Sequence, residues 1–345
     1  MKAHGLYCGK YVNIERREIE LGPLGPNEAI VAVKACGVCG TDLNNLKDWV
    51  GEKLRSMGHE HSGIVIEVGS SVKNVKVGAK VVAEDLVYCG VCKDCQEGNV
   101  HLCRNMLSSE GRSGMADYFK IDARCLVPFD GLSFEAAALT EPLAVGVCAT
   151  EAADIPLGAS VLIYGDGPVG LFSARCAVLR GAGEVSIVGW SRATPLGTKR
   201  LEVAEKLGCV HAFESANQDV VAEVRKLYPN GVDRVIVTSP PKTVPNAIRC
   251  AHFGGRVSAL GIDFGGREKV ELDVNYIVFN KIDVQGFIAE PALRFNTCLD
   301  LLKTKKVDPD LFLTHPCTDA DIAAVLKDVI EGKVAAIKPY YIPNA

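Results

Sequence analysis

Four cysteines lie close together in the first third of the chain, with a spacing that suits a single metal ion. They are Cys89, Cys92, Cys95 and Cys103. Two-residue gaps let the first three thiolates surround one small ion, and the loop before the last brings in a fourth sulfur, completing the tetrahedral set that zinc accepts. Four protein ligands leave no open position, so we expect this zinc to stabilise a loop. The alternative, a disulfide cluster, is typical of small secreted domains, and we expect no signal peptide in this 345-residue chain.

Two other segments carry side chains that suit a catalytic site. The first has the thiol of Cys39 and the hydroxyl of Thr41, and the second has the imidazole of His59 followed by the carboxylate of Glu60. A thiolate, an imidazole and a carboxylate are side-chain groups that can take part in catalysis. A lone histidine is more often a structural residue, so this interpretation depends on the other motifs of the chain.

A glycine-rich turn lies near the middle of the chain. It reads Gly165, Asp166, Gly167, Pro168, Val169, Gly170, which matches G-x-G-x-x-G. An apolar run precedes it and helical spacing follows it, so a strand enters the turn and a helix leaves it. There the glycines let the backbone approach a pyrophosphate and aim the helix N-terminus at its charge. The turn predicts dinucleotide binding, and the alternative is a purely structural glycine turn.

The second strand of this unit bears on which dinucleotide binds. An acidic residue at its end normally holds the adenosine ribose, but the chain has no carboxylate there, and Glu184 lies at the opposite end of the strand. Ser191 and Arg192, helped by Lys199 or Arg200, could bind a 2′-phosphate. This favours NADP(H) over NAD(H), although Arg192 alone could be an ordinary solvated loop charge.

The elements that must position these residues fall into two series. Short β-branched runs at 30–33, 63–66 and 79–82 predict an all-β or mixed first half. From residue 158 strands and helices alternate, which predicts a doubly wound parallel sheet. The predicted strands are 160–164, 184–188, 234–237, 256–260 and 282–285, and the predicted helices are 168–180, 200–207, 219–227 and 244–250. Two helices, 292–304 and 320–331, and an apolar tail follow.

Composition narrows the class of partner. The net charge is -4 with mixed signs, so the chain has no basic stripe for nucleic acid, and no run of 18 apolar residues predicts a membrane span. The length suggests about two domains. The remaining cysteines are scattered through apolar segments, as buried thiols in a reducing compartment are. We therefore expect a soluble, cytoplasmic protein that binds a small molecule.

Together these motifs resemble the zinc-dependent medium-chain dehydrogenase/reductase family of the alcohol dehydrogenase superfamily, within its polyol, sorbitol and threonine dehydrogenase branch. The resemblance covers nearly the whole chain through segments 36–42, 58–60, 89–103, 114–118, 137–143, 165–170 and 332–333. It implies an α/β fold, with a GroES-like β-rich catalytic domain and a Rossmann doubly wound parallel-sheet nucleotide-binding domain. The catalytic domain would comprise residues 1–150 and 290–345, and the Rossmann domain 151–289. It also implies a homodimer or homotetramer.

The resemblance also implies roles for individual residues. Cys39, His59 and Glu60 would bind a catalytic zinc, with Glu141 as a fourth or water-linked carboxylate. Zinc would act as a Lewis acid on the substrate oxygen, and hydride would pass to the nicotinamide of NAD(P). Thr41 matches the hydroxyl residue that passes the alcohol proton onward.

Two departures from the family pattern concern proton exit and loop lengths. Where the family often has a histidine three residues after Thr41, this chain has Asn44, so we expect Glu60 or Glu141 to take the proton instead. The connection from Cys39 to His59 is short for the family, and the segment 191–208 is long.

The predicted reaction is hydride transfer between NAD(P) and the secondary alcohol or ketone of a hydroxyl-rich substrate: a polyol, sugar, sugar phosphate, cyclitol or amino alcohol. Threonine or a simple secondary alcohol is an alternative substrate. The motifs would also suit a non-catalytic, zinc-stabilised nucleotide-binding protein, and without catalytic zinc the fold would suit a quinone or enoyl reductase. Possible polar residues of the substrate pocket are Arg112, Asp117, Arg294 and Asn296.

Overall fold

The computed structural model of the chain describes residues 1–48, 53–108, 114–263, 265–291 and 294–343. Its contacts divide the chain into two compact units. The first is Met1–Ala144 with Ala289–Ala345, and the second is Val145–Ile288. The first division lies six residues before the predicted boundary at 150, because a single helix, Thr140–Ala152, contributes to both units.

The strands and helices are as follows. The strands are β1 Lys2–Gly9, β2 Asn13–Glu20, β3 Glu28–Gly37, β4 Arg55–Ser56, β5 Glu60–Val68, β6 Lys80–Ala83, β7 Leu86–Val87, β8 Leu107–Ser108, β9 Tyr118–Asp122, β10 Leu126–Pro128, β11 Ser160–Tyr164, β12 Glu184–Gly189, β13 His211–Glu214, β14 Val232–Val237, β15 Ala251–Ala259, β16 Asp283–Gly286, β17 Leu313–Cys317 and β18 Lys338–Tyr341. The α-helices are α1 Gly40–Asp48, α2 Lys93–Gln96, α3 Phe134–Ala138, α4 Thr140–Ala152, α5 Pro168–Leu179, α6 Pro195–Lys206, α7 Val220–Leu227, α8 Val244–Cys250, α9 Val274–Phe279, α10 Phe295–Lys303 and α11 Ile322–Ile330.

The first unit is built around a sheet with the order β10-β6-β5-β3-β18-β17, in which β9 also pairs with β3. β3 lies in the interior of this sheet, and its β-branched residues pack into a core. Val31 and Val33 of β3 lie in the same buried cluster as Val65 of β5 and Phe119 of β9. At its carboxyl end Gly37 pairs with Glu60 of β5 on one side and with Tyr340 of β18 on the other. Three strands that are distant in sequence therefore meet at one point.

The second unit is a parallel sheet with the order β13-β12-β11-β14-β15-β16. Helices α5 to α9 connect successive strands, and Val161, Leu162 and Ile163 of β11 are buried on both faces of the sheet. The strand order reverses between β11 and β14, and ligands of such sheets bind at this switch point, outside the carboxyl ends of the strands. The predicted doubly wound parallel sheet is confirmed.

Several elements differ from the sequence-based prediction. Helix α6 begins at Pro195 rather than at residue 200, because Thr194 caps it through the N–H of Gly197 and proline occupies its first turn. Strand β13 has only four residues, which is too short for a clear periodic signal. The predicted apolar tail is the strand β18, which pairs with β17 and β3.

In the described ranges, the helices are all too short or too polar to cross a bilayer. The four clustered cysteines have free thiols. The disulfide alternative for those four is therefore not supported.

Candidate active site and metal centres

The four clustered cysteines converge in a loop that contains the short helix α2. The sulfurs of Cys92 and Cys95 are 3.4 Å apart and those of Cys89 and Cys95 are 4.0 Å apart. The N–H of Cys89 also lies 3.3 Å from the sulfur of Cys103. Ligating atoms of all four lie within 4.8 Å of one another.

This geometry fits zinc. Four sulfurs placed about 2.3 Å from a central ion in a tetrahedron are roughly 3.8 Å apart, close to the separations given above. The backbone N–H groups of Val91 and Cys92 lower the pKa of the Cys89 thiol to about 6. Burial raises the pKa of the Cys95 thiol to about 12, so Cys89 loses its proton before Cys95.

The predicted catalytic ligands also converge. Sulfur, imidazole nitrogen and carboxylate oxygen atoms of Cys39, His59 and Glu60 lie within 4.8 Å of one another. Cys39 directly precedes α1, His59 directly precedes β5, and Glu60 is the first residue of β5. Gly58 has a φ of +85°, and a Cβ there would lie 2.6 Å from the sulfur of Cys36, so only glycine allows the chain to turn before His59.

A buried carboxylate joins the two ligand segments. Asp42 accepts hydrogen bonds from the N–H of Cys39 at 3.1 Å and from the N–H of Gly58 at 3.4 Å. Burial is the main factor that raises its pKa, while the charge of His59 and these hydrogen bonds oppose the rise. Asp42 lies in the motif that the sequence analysis noted, but it was given no role there.

Lys338 is the main residue of this site that sequence reasoning missed. Its ammonium lies 2.6 and 2.7 Å from the two carboxylate oxygens of Glu60 and donates to the carbonyl of Val38 at 3.0 Å. Both charged side chains are at most 2% exposed. Gly37 leaves room for the carboxylate, because a Cβ there would lie 2.1 Å from Glu60 Oε2. The one available signal was a lone lysine within an apolar terminal run.

The site has a strongly anionic character. Burial lowers the pKa of Lys338, but the charges of Glu60 and Cys39 outweigh it and leave that pKa above its usual value. Burial likewise lowers the pKa of His59, and the neighbouring Cys39, Glu141 and Asp42 more than reverse the effect. Such accumulated negative charge, with a thiol, an imidazole and a carboxylate as donors, fits a divalent zinc ion.

Glu141 lies beside the three converging ligands without joining their cluster. It occupies the first turn of α4 and is buried. Burial raises the pKa of its carboxyl, and the charges of Glu60, Cys39 and Glu290 raise it further against the opposing charge of His59. Burial also raises the pKa of Glu290 to about 8, and a hydrogen bond with Asp85 adds to this rise. Sequence reasoning missed Glu290 and Asp85, which are far apart in the chain.

The other predicted site residues have mixed outcomes. The N–H of Thr41 lies 3.5 Å from the sulfur of Cys39, and Asn44 is exposed. Asp117 is engaged by the side chains of His4 and Arg16, as a structural residue is. Arg112 lies outside the described residues.

The glycine turn follows β11 and leads into α5, as the sequence predicted. Gly165 has a φ of +127°, and a Cβ on Gly170 would lie 2.0 Å from the carbonyl oxygen of Gly165, so neither tolerates a side chain. A Cβ on Gly167 would meet nothing within 4 Å. Pro168 and Val169 begin the helix, whose first N–H groups lack intrahelical partners. This open cradle in front of Gly167 fits a pyrophosphate.

Three of the predicted phosphate-binding residues, Ser191 and Arg192 after β12 and Arg200 on α6, contact carboxylates. The guanidinium of Arg192 pairs with Glu205, and that of Arg200 lies 3.5 Å from Asp166. The hydroxyl of Ser191 and the N–H of Arg192 both donate to Glu214 Oε2, at 3.3 and 2.8 Å. The sequence analysis did not anticipate these acidic partners.

Comparison with known proteins supports the same interpretation for both units. Residues 25–131 match the alcohol dehydrogenase GroES-like domain, and residues 168–304 match the zinc-binding dehydrogenase domain. Sorbitol dehydrogenase of Bacillus subtilis is 30% identical over 100% of this chain and 98% of its own length. L-threonine 3-dehydrogenase of Caldanaerobacter subterraneus is 30% identical over 87% of this chain and 88% of its own.

A solved structure agrees with these relatives. A zinc-binding dehydrogenase of Sinorhizobium meliloti, crystallised with NADP bound, is 29% identical and superposes with a TM-score of 0.86 over 99% of this chain and 100% of its own. The chain therefore belongs to the zinc-dependent alcohol dehydrogenases of the medium-chain dehydrogenase/reductase family, in the branch of polyol and threonine dehydrogenases, and is an NAD(P)-dependent enzyme.

Proposed function

We propose that this enzyme interconverts the secondary alcohol and ketone of a hydroxyl-rich small molecule, with Cys39, His59 and Glu60 as the ligands of its catalytic zinc. The observation that carries the proposal is the convergence of these three donors within 4.8 Å. A second zinc would occupy the cysteine cluster, where four protein ligands leave it no catalytic position. Threonine and simple secondary alcohols remain the alternative substrates.

The residues around the ligands have distinct tasks in this proposal. When bound, zinc polarises the substrate oxygen and NAD(P) exchanges hydride with the carbinol carbon. Lys338 orients Glu60, whose carboxylate oxygens each have two lone pairs and so can accept a metal as well as the ammonium. Asp42 positions the backbone of Cys39 and Gly58. Thr41 receives the alcohol proton next to the thiolate.

The proton leaves Thr41 by way of Glu141. Asn44 is not titratable, so it cannot replace the histidine that the family often has there. Lys338 engages both oxygens of Glu60, so these oxygens already accept hydrogen bonds from the ammonium. Glu141 has a raised pKa and lies close enough to influence His59, so it is the better proton acceptor of the two predicted carboxylates.

The preference for a hydroxyl-rich substrate follows from the polar groups near the zinc ligands. Glu141, Glu290 and Asp85 place several carboxyl groups in the same neighbourhood. Hydroxyl groups of a polyol or sugar can form hydrogen bonds with such carboxyl groups, whereas an alkyl chain cannot. An amino alcohol would also be accommodated.

We also propose that two copies of the chain associate along β16. This strand forms one edge of the parallel sheet, and an open edge can pair with another strand. Val274, Val278 and Phe279 of the preceding helix are 62%, 62% and 75% exposed. Such apolar exposure is typical of protein interfaces. A Val284→Lys substitution should yield monomers in light scattering, and unchanged assembly would contradict this interface.

The experiment for the reaction is a set of initial rates with polyols, cyclitols, sugar phosphates, threonine and simple secondary alcohols, before and after dialysis against a chelator. We expect chelator-sensitive turnover of one hydroxyl-rich class. Equal rates with long-chain alcohols would contradict the substrate class. No turnover by a protein that contains zinc would favour a non-catalytic binding protein.

A further inference from the structure

The carboxylate that normally ends the second strand of a dinucleotide-binding sheet is missing at its usual position in this chain. β12 ends at Gly189, and Trp190, Ser191 and Arg192 follow. An acidic side chain here normally accepts the hydroxyls of the adenosine ribose, whereas arginine accommodates the 2′-phosphate of NADP(H). From sequence alone, this end of the strand therefore favours NADP(H).

Asp166, in the glycine turn that follows β11, brings a carboxylate to the same place. Its Oδ2 accepts a hydrogen bond from the N–H of Trp190 at 3.3 Å, directly after the end of β12. A Cβ on Gly189 would lie 2.7 Å from Asp166 Oδ2, so the absence of a side chain at 189 is what makes room for this carboxylate. Asp166 is only 7% exposed. Its position is therefore fixed by packing.

Arg200 holds the other oxygen of the same carboxylate. Its Nη1 lies 3.5 Å from Asp166 Oδ1, and it extends from α6, the helix that begins five residues earlier than the sequence predicted. Each carboxylate oxygen has two lone pairs, so each can still accept one further hydrogen bond. Arg200, which the sequence assigned to a phosphate, is thus paired with a group that suits a hydroxyl.

Glu214 adds a second carboxylate at this end of the sheet. It ends β13, opposite Gly189, and accepts hydrogen bonds from Ser191 and from the N–H of Arg192. A phosphate monoester carries about −1.5 to −2 charges at pH 7. Such a group would face two carboxylates, and the guanidinium groups of Arg192 and Arg200 are already paired with Glu205 and Asp166.

We propose that Asp166 accepts the adenosine 2′-hydroxyl and that this chain selects NAD(H) over NADP(H). The proposal rests on the dinucleotide binding of the proposed function, and it replaces the sequence-based preference for NADP(H). A neutral ribose donates a hydrogen bond to the fixed carboxylate, whereas a 2′-phosphate is repelled by it. Cofactor choice thus comes from the glycine turn rather than from the end of the second strand.

The test measures binding without catalysis. Calorimetric titration of the purified full chain with ADP-ribose and with 2′-phospho-ADP-ribose gives one dissociation constant for each. We expect ADP-ribose to bind at least about tenfold more tightly, since a hydrogen bond to a charged acceptor contributes about tenfold to hundredfold. Asp166→Asn should bring the ratio of the two constants close to one. Glu202→Gln removes an exposed negative charge from the same helix as Arg200 and should leave the ratio unchanged.

A second variant tests the proposal in case Asp166→Asn does not fold. Gly189→Ala keeps Asp166 but displaces its carboxylate, and it should lower the same ratio by about tenfold. Tighter binding of 2′-phospho-ADP-ribose by the unaltered protein, or an unchanged ratio in both variants, would overturn the proposal. Failure of both nucleotides to bind would overturn dinucleotide binding itself. Selective binding without turnover of any alcohol would refute only the proposed reaction and leave this inference standing.

Discussion

The two metal centres of this protein are assembled in opposite ways. All four sulfurs of the cysteine cluster come from 15 consecutive residues, 89–103, and the loop between them needs little from the rest of the unit. The groups around Cys39 come from positions as distant as Glu141, Glu290 and Lys338. The first centre is closed by its own ligands, whereas the second depends on strands that meet only in the folded chain.

Because of this difference, we expect the cysteine cluster to stabilise the fold and the centre around Cys39 to carry out the reaction. A tetrahedral set of four thiolates has no free position and contributes its binding energy to folding. Three dissimilar ligands with a carboxylate beside them leave access to substrate, and the surrounding charges decide how protons move. Loss of a ligand from the cysteine cluster should therefore change mainly the unfolding temperature. Loss of a ligand from the centre around Cys39 should change mainly the rate of turnover.

The largest effect is expected on turnover at the open centre. Cys39→Ala should lower kcat/KM by about a thousandfold or more, since the catalytic zinc supplies several kcal/mol of transition-state stabilisation. Zinc content should fall from about two ions per chain to about one. Cys209→Ala, at a buried thiol of the second unit, serves as the control and should keep its rate. Full activity in Cys39→Ala would remove this centre from the mechanism.

The next largest effect is expected from the buried ion pair. In the zinc-free protein, Lys338→Met leaves the carboxylate of Glu60 buried without a cation, which typically costs about 3–5 kcal/mol of unfolding free energy, measurable by urea denaturation. The double variant Glu60→Gln with Lys338→Met should recover much of this loss, because neither charge then remains. An equal loss in the single and double variants would show that the lysine acts by packing alone.

A smaller effect, on stability rather than on rate, is expected at the cysteine cluster. Cys103→Ser should remove one zinc per chain and lower the unfolding temperature by roughly 5 °C or more. The rate per folded molecule should stay within about threefold of the original, because this ion makes no contact with substrate. A thousandfold loss of rate at an unchanged unfolding temperature would contradict the division between the two centres.

The smallest effect is expected at the carboxylate beside the open centre. Glu141→Gln should lower kcat by about tenfold and change the pH dependence of the rate, because the proposed proton acceptor is lost. Glu67→Gln, an exposed substitution on β5, should leave both unchanged. An unaltered pH profile in Glu141→Gln would exclude this residue from the proton route.

The sequence predicted best what its local patterns contain. The cysteine cluster, the glycine turn and the alternation of β11, α5 and β12 are each specified by neighbouring residues. In the structure the four cysteines converge, and the turn connects β11 to α5 as expected. Strand β18 was missed because it is short and reads as an apolar tail. Its Lys338 was missed with it, since nothing local indicates a partner 278 residues away.

The residues after β12, where the adenosine ribose would bind, also could not be interpreted from local sequence alone. The run from Gly189 to Arg192 lacks an acidic residue, and the local pattern therefore favoured a phosphate. Asp166, in the glycine turn after β11, and Glu214, at the end of β13, supply carboxylates there. Only the parallel register, which pairs Gly189 with Glu214, brings them together.

Replacement of zinc by cobalt tests most directly whether the cluster of Cys39, His59 and Glu60 is the centre that meets substrate. Cobalt in a thiolate site absorbs visible light, and the absorption depends on its ligands. In the fully cobalt-loaded enzyme, part of the spectrum should shift when a substrate alcohol is added, and Cys39→Ala should keep only the component that does not shift. A spectrum that ignores a substrate the enzyme turns over, or a shift that persists in Cys39→Ala, would contradict the assignment.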